Sequence, residues 1–286
     1  MLKFFKFVIY LFGVTVASLS FVSCTEGKIP TPSQHTTDTE DTTQYFLTDS
    51  ELSQNDDFTY TIKDNAILLK KYTGTEEDVI IPETIQNLEV RTIDARCFEN
   101  HSNSNAVHTV TIPSTVCNIS TLAFYNSKFL ENIICDDNIS YISENGVLYT
   151  SDFLSLIAYP ENKPDTSYVM PDTITKIYSN AFSFCNCLET VTLSPNLEII
   201  PDYAFAYNAN IQSVTATGNI SHIGFAAFCK CEKLSSLHFL SSVDNINPKS
   251  VLFCNSLKSF STTNDSATLK DYAQYLGIIY TVSKEQ

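Results

Sequence analysis

The chain repeats itself with a period of 23 residues. An isoleucine marks each period, and an Ala-Phe pair follows most of these marker isoleucines four and five residues later. The markers are Ile93, Ile119, Ile142, Ile177, Ile200, Ile223 and Ile246, and the pairs are Ala123-Phe124, Ala181-Phe182, Ala204-Phe205 and Ala227-Phe228. A fixed period of this length is typical of a solenoid, in which each coil buries its apolar face only against its neighbours. The pattern therefore predicts a linear array of coils rather than a globule with one central core.

Each coil also contains a short segment in which apolar and polar residues alternate. Alternation of this kind predicts a short strand with one buried face, and strands of successive coils would stack in parallel. The other face would then carry small hydroxyls and one imidazole, which gives the candidate binding residues Thr190, Thr192, Ser213, Thr215, Ser236 and His238. Ser and Thr also suit any strand that is exposed to solvent. The residues therefore leave open whether this is a dedicated binding face or an ordinary exposed strand.

The full repeat reads Ile-x-x-x-Ala-Phe-x-x-Cys/Asn-x-x-Leu and ends in an alternating strand, as from Ile177 to Leu193. This motif resembles the repeat of the BspA-like leucine-rich-repeat proteins, from about Phe58 to Phe260. The resemblance implies an α+β repeat fold, a leucine-rich-repeat solenoid of about seven coils of 23 residues with parallel short strands. One step, from Ile142 to Ile177, is 35 residues long. The segment from Gly146 to Pro160 resembles the hairpin-bearing long repeat of that family and accounts for this step.

The two ends of the chain differ from the repeats. Residues 1–23 have two lysines, an apolar run and a small residue before Cys24, which predicts a lipoprotein signal peptide with lipidation at Cys24. An ordinary signal peptide is the alternative. Residues 24–56 are predicted to be a disordered acidic tether and residues 57–262 the solenoid. Residues 263–286 are predicted to be a C-terminal cap, with a helix over Ala267–Leu276, Gly277 at its end and a final strand.

Composition disfavours several functions. A formal net charge of −15 disfavours nucleic-acid binding, because phosphate contacts need a basic surface. The five histidines show no metal-ligand spacing, and the seven glycines form no phosphate-binding loop. We therefore predict no enzyme activity, no metal site and no cofactor.

The cysteines follow the period. Cys185, Cys231 and Cys254 each stand eight residues after a marker isoleucine, and Asn208 takes this place in the intervening coil. A cysteine locked to one position predicts a small buried side chain in the core, present as a free thiol. A disulfide between Cys231 and Cys254 is the alternative, since export makes disulfides possible.

The resemblance implies adhesion to, or recognition of, host or extracellular macromolecules by a non-enzymatic module. We predict a monomer at the bacterial outer membrane, exposed at the surface and held to the membrane only by its lipid anchor. Its ligand would be a protein or glycoprotein. Aromatic candidates for binding are Tyr149, Phe153 and Tyr159 in the long repeat, although the two tyrosines could instead cover the core of the hairpin. The alternative function is a structural or interaction subunit of a cell-envelope complex, with a glycan-related role disfavoured by the absence of Trp.

Overall fold

The computed structural model describes residues 52–99 and 106–283. Within this part the chain forms a β-solenoid of about nine turns, with one helix near its C-terminal end. The predicted signal peptide, Cys24 and the tether up to residue 51 lie outside the described residues. All members of the two hydrophobic clusters lie between Phe58 and Ala273, so a protein that begins at residue 25 contains the whole described fold.

The strands follow one another at short intervals along the chain. In order they are β1 (Ser53–Gln54), β2 (Phe58–Lys63), β3 (Ala66–Tyr72), β4 (Asp78–Ile80), β5 (Thr84–Ile85), β6 (Leu88–Ile93), β7 (Thr109–Thr111), β8 (Asn118–Ile119), β9 (Asn132–Ile134), β10 (Tyr141–Glu144), β11 (Val147–Thr150), β12 (Ser155–Ala158), β13 (Ser167–Val169), β14 (Lys176–Ile177), β15 (Thr190–Leu193), β16 (Ile199–Ile200), β17 (Ser213–Ala216), β18 (Ile220–Ile223), β19 (Ser236–Phe239), β20 (Val243–Ile246), β21 (Ser259–Thr262) and β22 (Ile279–Val282). Helix α1 (Ala267–Leu276) lies between β21 and β22.

Strands of successive coils pair in parallel, which confirms the predicted solenoid. A six-stranded sheet has the order β13, β15, β17, β19, β21 and β22, and a three-stranded sheet has the order β4, β7 and β9. Val191 pairs with Val214, and Val214 with Leu237, so neighbouring coils keep the 23-residue register. The turns exceed the predicted seven because strands outside the Ala-Phe repeats, such as β4 and β22, also pair into these sheets.

The marker isoleucines lie on a second set of strands. β16, β18 and β20 pair in parallel, and their markers point into the core. Ile142 is the exception, because 41% of its surface is exposed on β10. The additional residues of the long step form an antiparallel hairpin of β10 and β11, and β12 then returns beside β11. Leu156 on β12 pairs with Ile177, so it takes the core position that the period assigned to Ile142.

The core is a stack of aromatic rings flanked by aliphatic side chains. Phe182, Phe205 and Phe228 are fully buried, and their ring centroids are 4.8 and 5.3 Å apart in nearly parallel planes. Burial of this kind stabilises the solenoid by apolar transfer and by ring stacking. The buried residues form two clusters, one that ends at Ile157 and one that begins at Val147. The two clusters therefore meet at the long repeat.

The C-terminal cap has the predicted form. Ser266 caps α1 by accepting the Leu269 N–H, and Gly277 ends the helix in the left-handed region with φ of 69°. Leu269 and Tyr272 are buried against the last coil, and Tyr272 continues the ring stack from Phe260. Strand β22 then pairs with β21.

The N-terminal boundary differs from the predicted one. Strand β1 lies within the stretch predicted as a tether, and Ser53 pairs with Tyr60 of β2. Asn55 closes the connection, because its side-chain oxygen accepts the Phe58 N–H at 2.7 Å. The local hydrogen bonds of this turn extend the sheet by a few residues beyond the apolar pattern.

Candidate functional site

The predicted outward side chains do form one continuous surface on the six-stranded sheet. We call the outward residues of β15, β17, β19 and β21 the hydroxyl face. They align in two rows, which are Thr190, Ser213, Ser236 and Ser259, and Thr192, Thr215, His238 and Ser261. Each residue of this face is exposed or partly exposed, whereas the alternating Val191, Val214, Leu237 and Phe260 are buried. The sheet thus brings together six of the nine candidate binding residues.

His238 joins neighbouring members of the hydroxyl face. Its Nε2 lies 3.0 Å from Ser236 Oγ, and its Nδ1 forms a short contact with Ser261 Oγ. The imidazole therefore bridges two hydroxyls on adjacent strands and fixes their orientation. No carboxylate is described in hydrogen-bond contact with this ring, so the arrangement lacks the orienting acid of a Ser-His-Asp triad.

Each end of the hydroxyl face carries one exposed apolar side chain beside a polar one. Val169 on β13 and Ile279 on β22 share the orientation of the hydroxyl rows, and they are 72% and 61% exposed. Apolar side chains of this size at a surface supply contact area to a partner. The face therefore combines a polar centre with an apolar contact at each end.

The aromatic candidates of the long repeat are mostly inaccessible, which corrects their prediction as binding residues. Tyr149 is 2% and Tyr159 is 3% exposed, and the Tyr149 hydroxyl lies 2.8 Å from that of Tyr168. Phe153 is partly buried with its ring centroid 4.5 Å from that of Tyr149. The rings cover the core of the hairpin, which is the alternative that the sequence left open. Burial follows because Tyr159 stacks on Phe182 and continues the aromatic core.

The repeat cysteines are free thiols with a structural role. Cys231 donates to the Phe205 carbonyl at 3.0 Å, and Cys254 donates to the Phe228 carbonyl at 2.8 Å. Asn208, at the equivalent position, donates through Nδ2 to the carbonyls of Phe182 and Phe205. A buried carbonyl needs such a donor, so the position requires a small hydrogen-bonding side chain. Burial raises the pKa of the Cys231 thiol well above its usual value, which disfavours the reactive thiolate.

A small cavity lies where the two hydrophobic clusters meet. The space free of atoms amounts to about 300 Å³, including the part that is open to solvent. Its walls include Phe124, Tyr159, Thr121, Asn180 and Ser183. Glu161 also lines it, although only 4% of this residue is exposed.

Glu161 is not among the residues that the sequence pattern predicts for the site, although the period contains a signal for it. The residues 23, 46, 69 and 92 positions further on are Phe184, Tyr207, Lys230 and Phe253. A carboxylate thus replaces an aromatic or long side chain in one coil. The same register puts Tyr159 at the position of Phe182, which also went unnoticed.

The described residues lack two further kinds of site. Among residues 52–99 and 106–283, no three His, Cys, Asp or Glu side chains converge as ligands for a metal ion. No helix in the described part of the chain has the length and apolarity needed to cross a membrane.

These features define a leucine-rich-repeat solenoid with an exposed polar sheet. The sequence matches the family described as BspA type leucine rich repeat region, in six copies over residues 71–163 and 160–276. The match covers well over half of the chain, and the chain belongs to this family. The predicted resemblance is therefore confirmed. Proteins of this family are generally protein-interaction or adhesion modules, and typically bacterial cell-surface proteins.

A solved structure of a bacterial leucine-rich-repeat protein shares the fold. The structure from Eubacterium ventriosum is 21% identical with a TM-score of 0.58, and the match covers 72% of this chain and 54% of that one. This chain therefore spans about half the length of that protein. A leucine rich cell surface protein from Faecalibacterium prausnitzii is 16% identical with a TM-score of 0.43, covering 82% and 98% of the two chains. A comparison with curated proteins finds no match.

Proposed function

We propose that this chain is a non-enzymatic, surface-tethered module that binds a host or extracellular protein or glycoprotein through its hydroxyl face. The observation that carries the proposal is the register of this face, in which paired strands present hydroxyls in two aligned rows. Membership of a family whose proteins generally mediate protein interaction or adhesion supports it. The fold alone would not assign the function, so the proposal depends on this face.

The chemistry of the hydroxyl face suits a polar macromolecular partner. Each Ser or Thr hydroxyl can donate and accept a hydrogen bond, which matches peptide groups and glycan hydroxyls alike. Short side chains also lose little rotamer entropy when a partner covers them. Val169 and Ile279 would add apolar contact at the two ends, at positions where a partner can exclude water.

The tethered location is part of the same proposal. Cys24 would carry the lipid anchor, and the segment up to residue 51 would separate the solenoid from the outer membrane. The long, exposed sheet would then face outward as a monomeric binding module. Protease treatment of intact cells tests this location, because a surface-exposed solenoid is cleaved or labelled without permeabilisation. Protection until permeabilisation would contradict it.

The binding proposal is tested with residues 25–286 on a panel of matrix proteins, mucins and glycans. In the double variant Thr192→Arg and Thr215→Arg, two long charged side chains cover the centre of the hydroxyl face. We expect saturable binding by the unchanged protein and at least about a tenfold loss in the variant, equivalent to about 1.4 kcal/mol. Thr175→Arg is the matched control, because Thr175 is exposed and lies beside Leu154, outside the hydroxyl face.

Each outcome separates the candidate functions. If the double variant bound as well as the Thr175→Arg control, the contact surface would lie outside the hydroxyl face. Absence of binding at micromolar concentrations, together with one stoichiometric envelope partner in pull-downs, would favour a structural subunit of a cell-envelope complex. Binding to free glycans alone would assign a glycan-related role instead of recognition of a polypeptide.

A further inference from the structure

Glu161 is a buried carboxylate with one oxygen left unbonded. The carboxylate accepts hydrogen bonds from the backbone N–H groups of Asn126 and Ser127. Its Oε2 atom is buried and has no hydrogen-bond partner among the described residues. An ionised carboxylate with an unpaired oxygen is costly to remove from water, so this arrangement calls for a partner that the side chains do not supply.

The long repeat explains why the carboxylate is there. Asn126 and Ser127 belong to the coil before the hairpin, and Glu161 belongs to the coil after it. In the regular coils the backbone itself supplies this contact, as when the Phe184 N–H donates to the Ala206 carbonyl. The hairpin lies between these two coils along the chain, and at this position the Glu161 side chain makes the contact, next to the Asn162 N–H that donates to the Leu130 carbonyl at 2.8 Å.

Few charges compensate Glu161. Lys128 lowers its pKa and Glu99 raises it, and both effects are smaller than that of burial. The nearby Cys185 thiol is buried and has its own pKa raised, so it stays uncharged and does not compensate Glu161. Burial therefore dominates, and the pKa of Glu161 lies well above its usual value.

We propose that this cavity binds one monovalent cation, of the class Na⁺, K⁺ or NH₄⁺, against Glu161 Oε2. One carboxylate balances one positive charge, and the enclosed part of the cavity has room for a particle of about the size of one water molecule. Thr121, Asn180 and Ser183 line the same cavity and carry oxygen atoms that suit a hard cation. Ca²⁺ fits less well, because it takes about 6–8 oxygens, usually with several carboxylates.

A bound cation would join the two parts of the core. Thr121 lies before the hairpin, whereas Asn180 and Ser183 lie after it, and all three line the cavity with Glu161. Occupancy would neutralise the buried charge and tie together coils that the hairpin separates. Because a ligand that binds only the folded state stabilises it, the cation raises the unfolding temperature. This inference does not depend on the proposed binding function.

The test is thermal unfolding of residues 25–286 at pH 7.5 and constant ionic strength, with NaCl, KCl or NH₄Cl replacing choline chloride. We expect a saturable rise of about 2–4 °C in Tm with at least one small cation, at cation concentrations well above Kd. Glu161→Gln keeps the shape of the side chain but removes the charge, and its Tm is expected not to respond. Glu198→Gln removes one exposed carboxylate and is the matched control, which keeps the response.

A pH series separates the cation from a proton. Glu161 binds its proton more tightly in the folded than in the unfolded chain, so in choline chloride its contribution to stability falls as pH rises above about 4.5. The small cation reduces this fall because it competes with the proton, and Glu161→Gln removes the fall.

Line broadening of the ²³Na NMR signal by the unchanged protein gives a direct measurement that requires no variant. An identical salt response in all three proteins, or an unbroadened signal with an unresponsive Tm, would overturn the proposal and leave a proton or water at Glu161.

Discussion

The coils from β15 to β21 and the long repeat solve the same packing problem in different ways. In the regular coils, Phe205 lies between two parallel rings, and donors at a fixed position satisfy the carbonyls of the aromatic residues. In the long repeat a hairpin separates neighbouring coils, a cavity remains, and a carboxylate bonds to the backbone of the previous coil. Regular coils thus satisfy buried groups through their repeated positions, whereas the irregular coil depends on individual side chains.

This difference indicates where the chain tolerates change. A solenoid is stabilised by contacts between neighbouring coils. Coils that pack fully on both sides are therefore expected to unfold more cooperatively than the junction at the long repeat. The junction at the long repeat contains the cavity and the buried Glu161 carboxylate instead. Three measurements sharpen this comparison, beginning with the largest expected effect.

Phe205→Ala is expected to destabilise the protein by about 3–5 kcal/mol, because it opens a cavity between two stacked rings. Phe124→Ala is expected to cost less, about 2–3 kcal/mol, because Phe124 stacks on Phe98 on one side and already faces the cavity on the other. Urea unfolding followed by circular dichroism measures both. Equal losses would mean that the junction is packed as completely as the regular coils.

Asn208→Ala is expected to cost about 1–3 kcal/mol, because it removes the side-chain donor of the buried Phe182 carbonyl and leaves the Phe205 carbonyl with Cys231 as its side-chain donor. Asn208→Cys should retain much of the stability, since Cys231 bonds to the Phe205 carbonyl from the same position one coil later. The same urea titration compares the two variants. If cysteine cost as much as alanine, the shared position would not be explained by hydrogen bonding.

Phe253→Asn is expected to change stability least, with a gain of up to about 1 kcal/mol. Phe253 has φ of 61° and is 51% exposed, so its backbone is in the left-handed region while its ring contributes little burial. Asn126, at the equivalent position before the long repeat, already has the residue type that tolerates this conformation. The reverse substitution, Asn126→Phe, is the control and should lower Tm. A loss on Phe253→Asn would show that ring packing outweighs backbone strain.

Much of the regular part was predictable. The alternation from Thr190 to Leu193 and its repeats predicted the parallel strands, because each coil repeats the same residues in the same order. The helix over Ala267–Leu276 was predicted because Gly277 and the spacing of apolar residues mark its end and its buried face. The hydroxyl face followed from the same alternation.

The irregular part was not predictable in the same way. Ile142 fits the period but is exposed, because the hairpin takes it out of the core and Leu156 replaces it. Tyr149 and Tyr159 have the composition of a binding site, yet the fold buries both against Tyr168. Periodicity identifies the residues of a coil, but an inserted hairpin changes which of them face inward.

The sequence alone determined that this protein is a stack of coils, with a polar sheet on the outside and a helical cap at its end. Local alternation and a fixed period suffice for that result, because every coil meets a neighbour with the same pattern. The tertiary structure decided which side chains of the long repeat are buried, and it left Glu161 Oε2 without a partner in a residue that lines a cavity. Burial of Glu161 depends on how two coils of unequal length pack against each other. No single segment of the sequence contains that information.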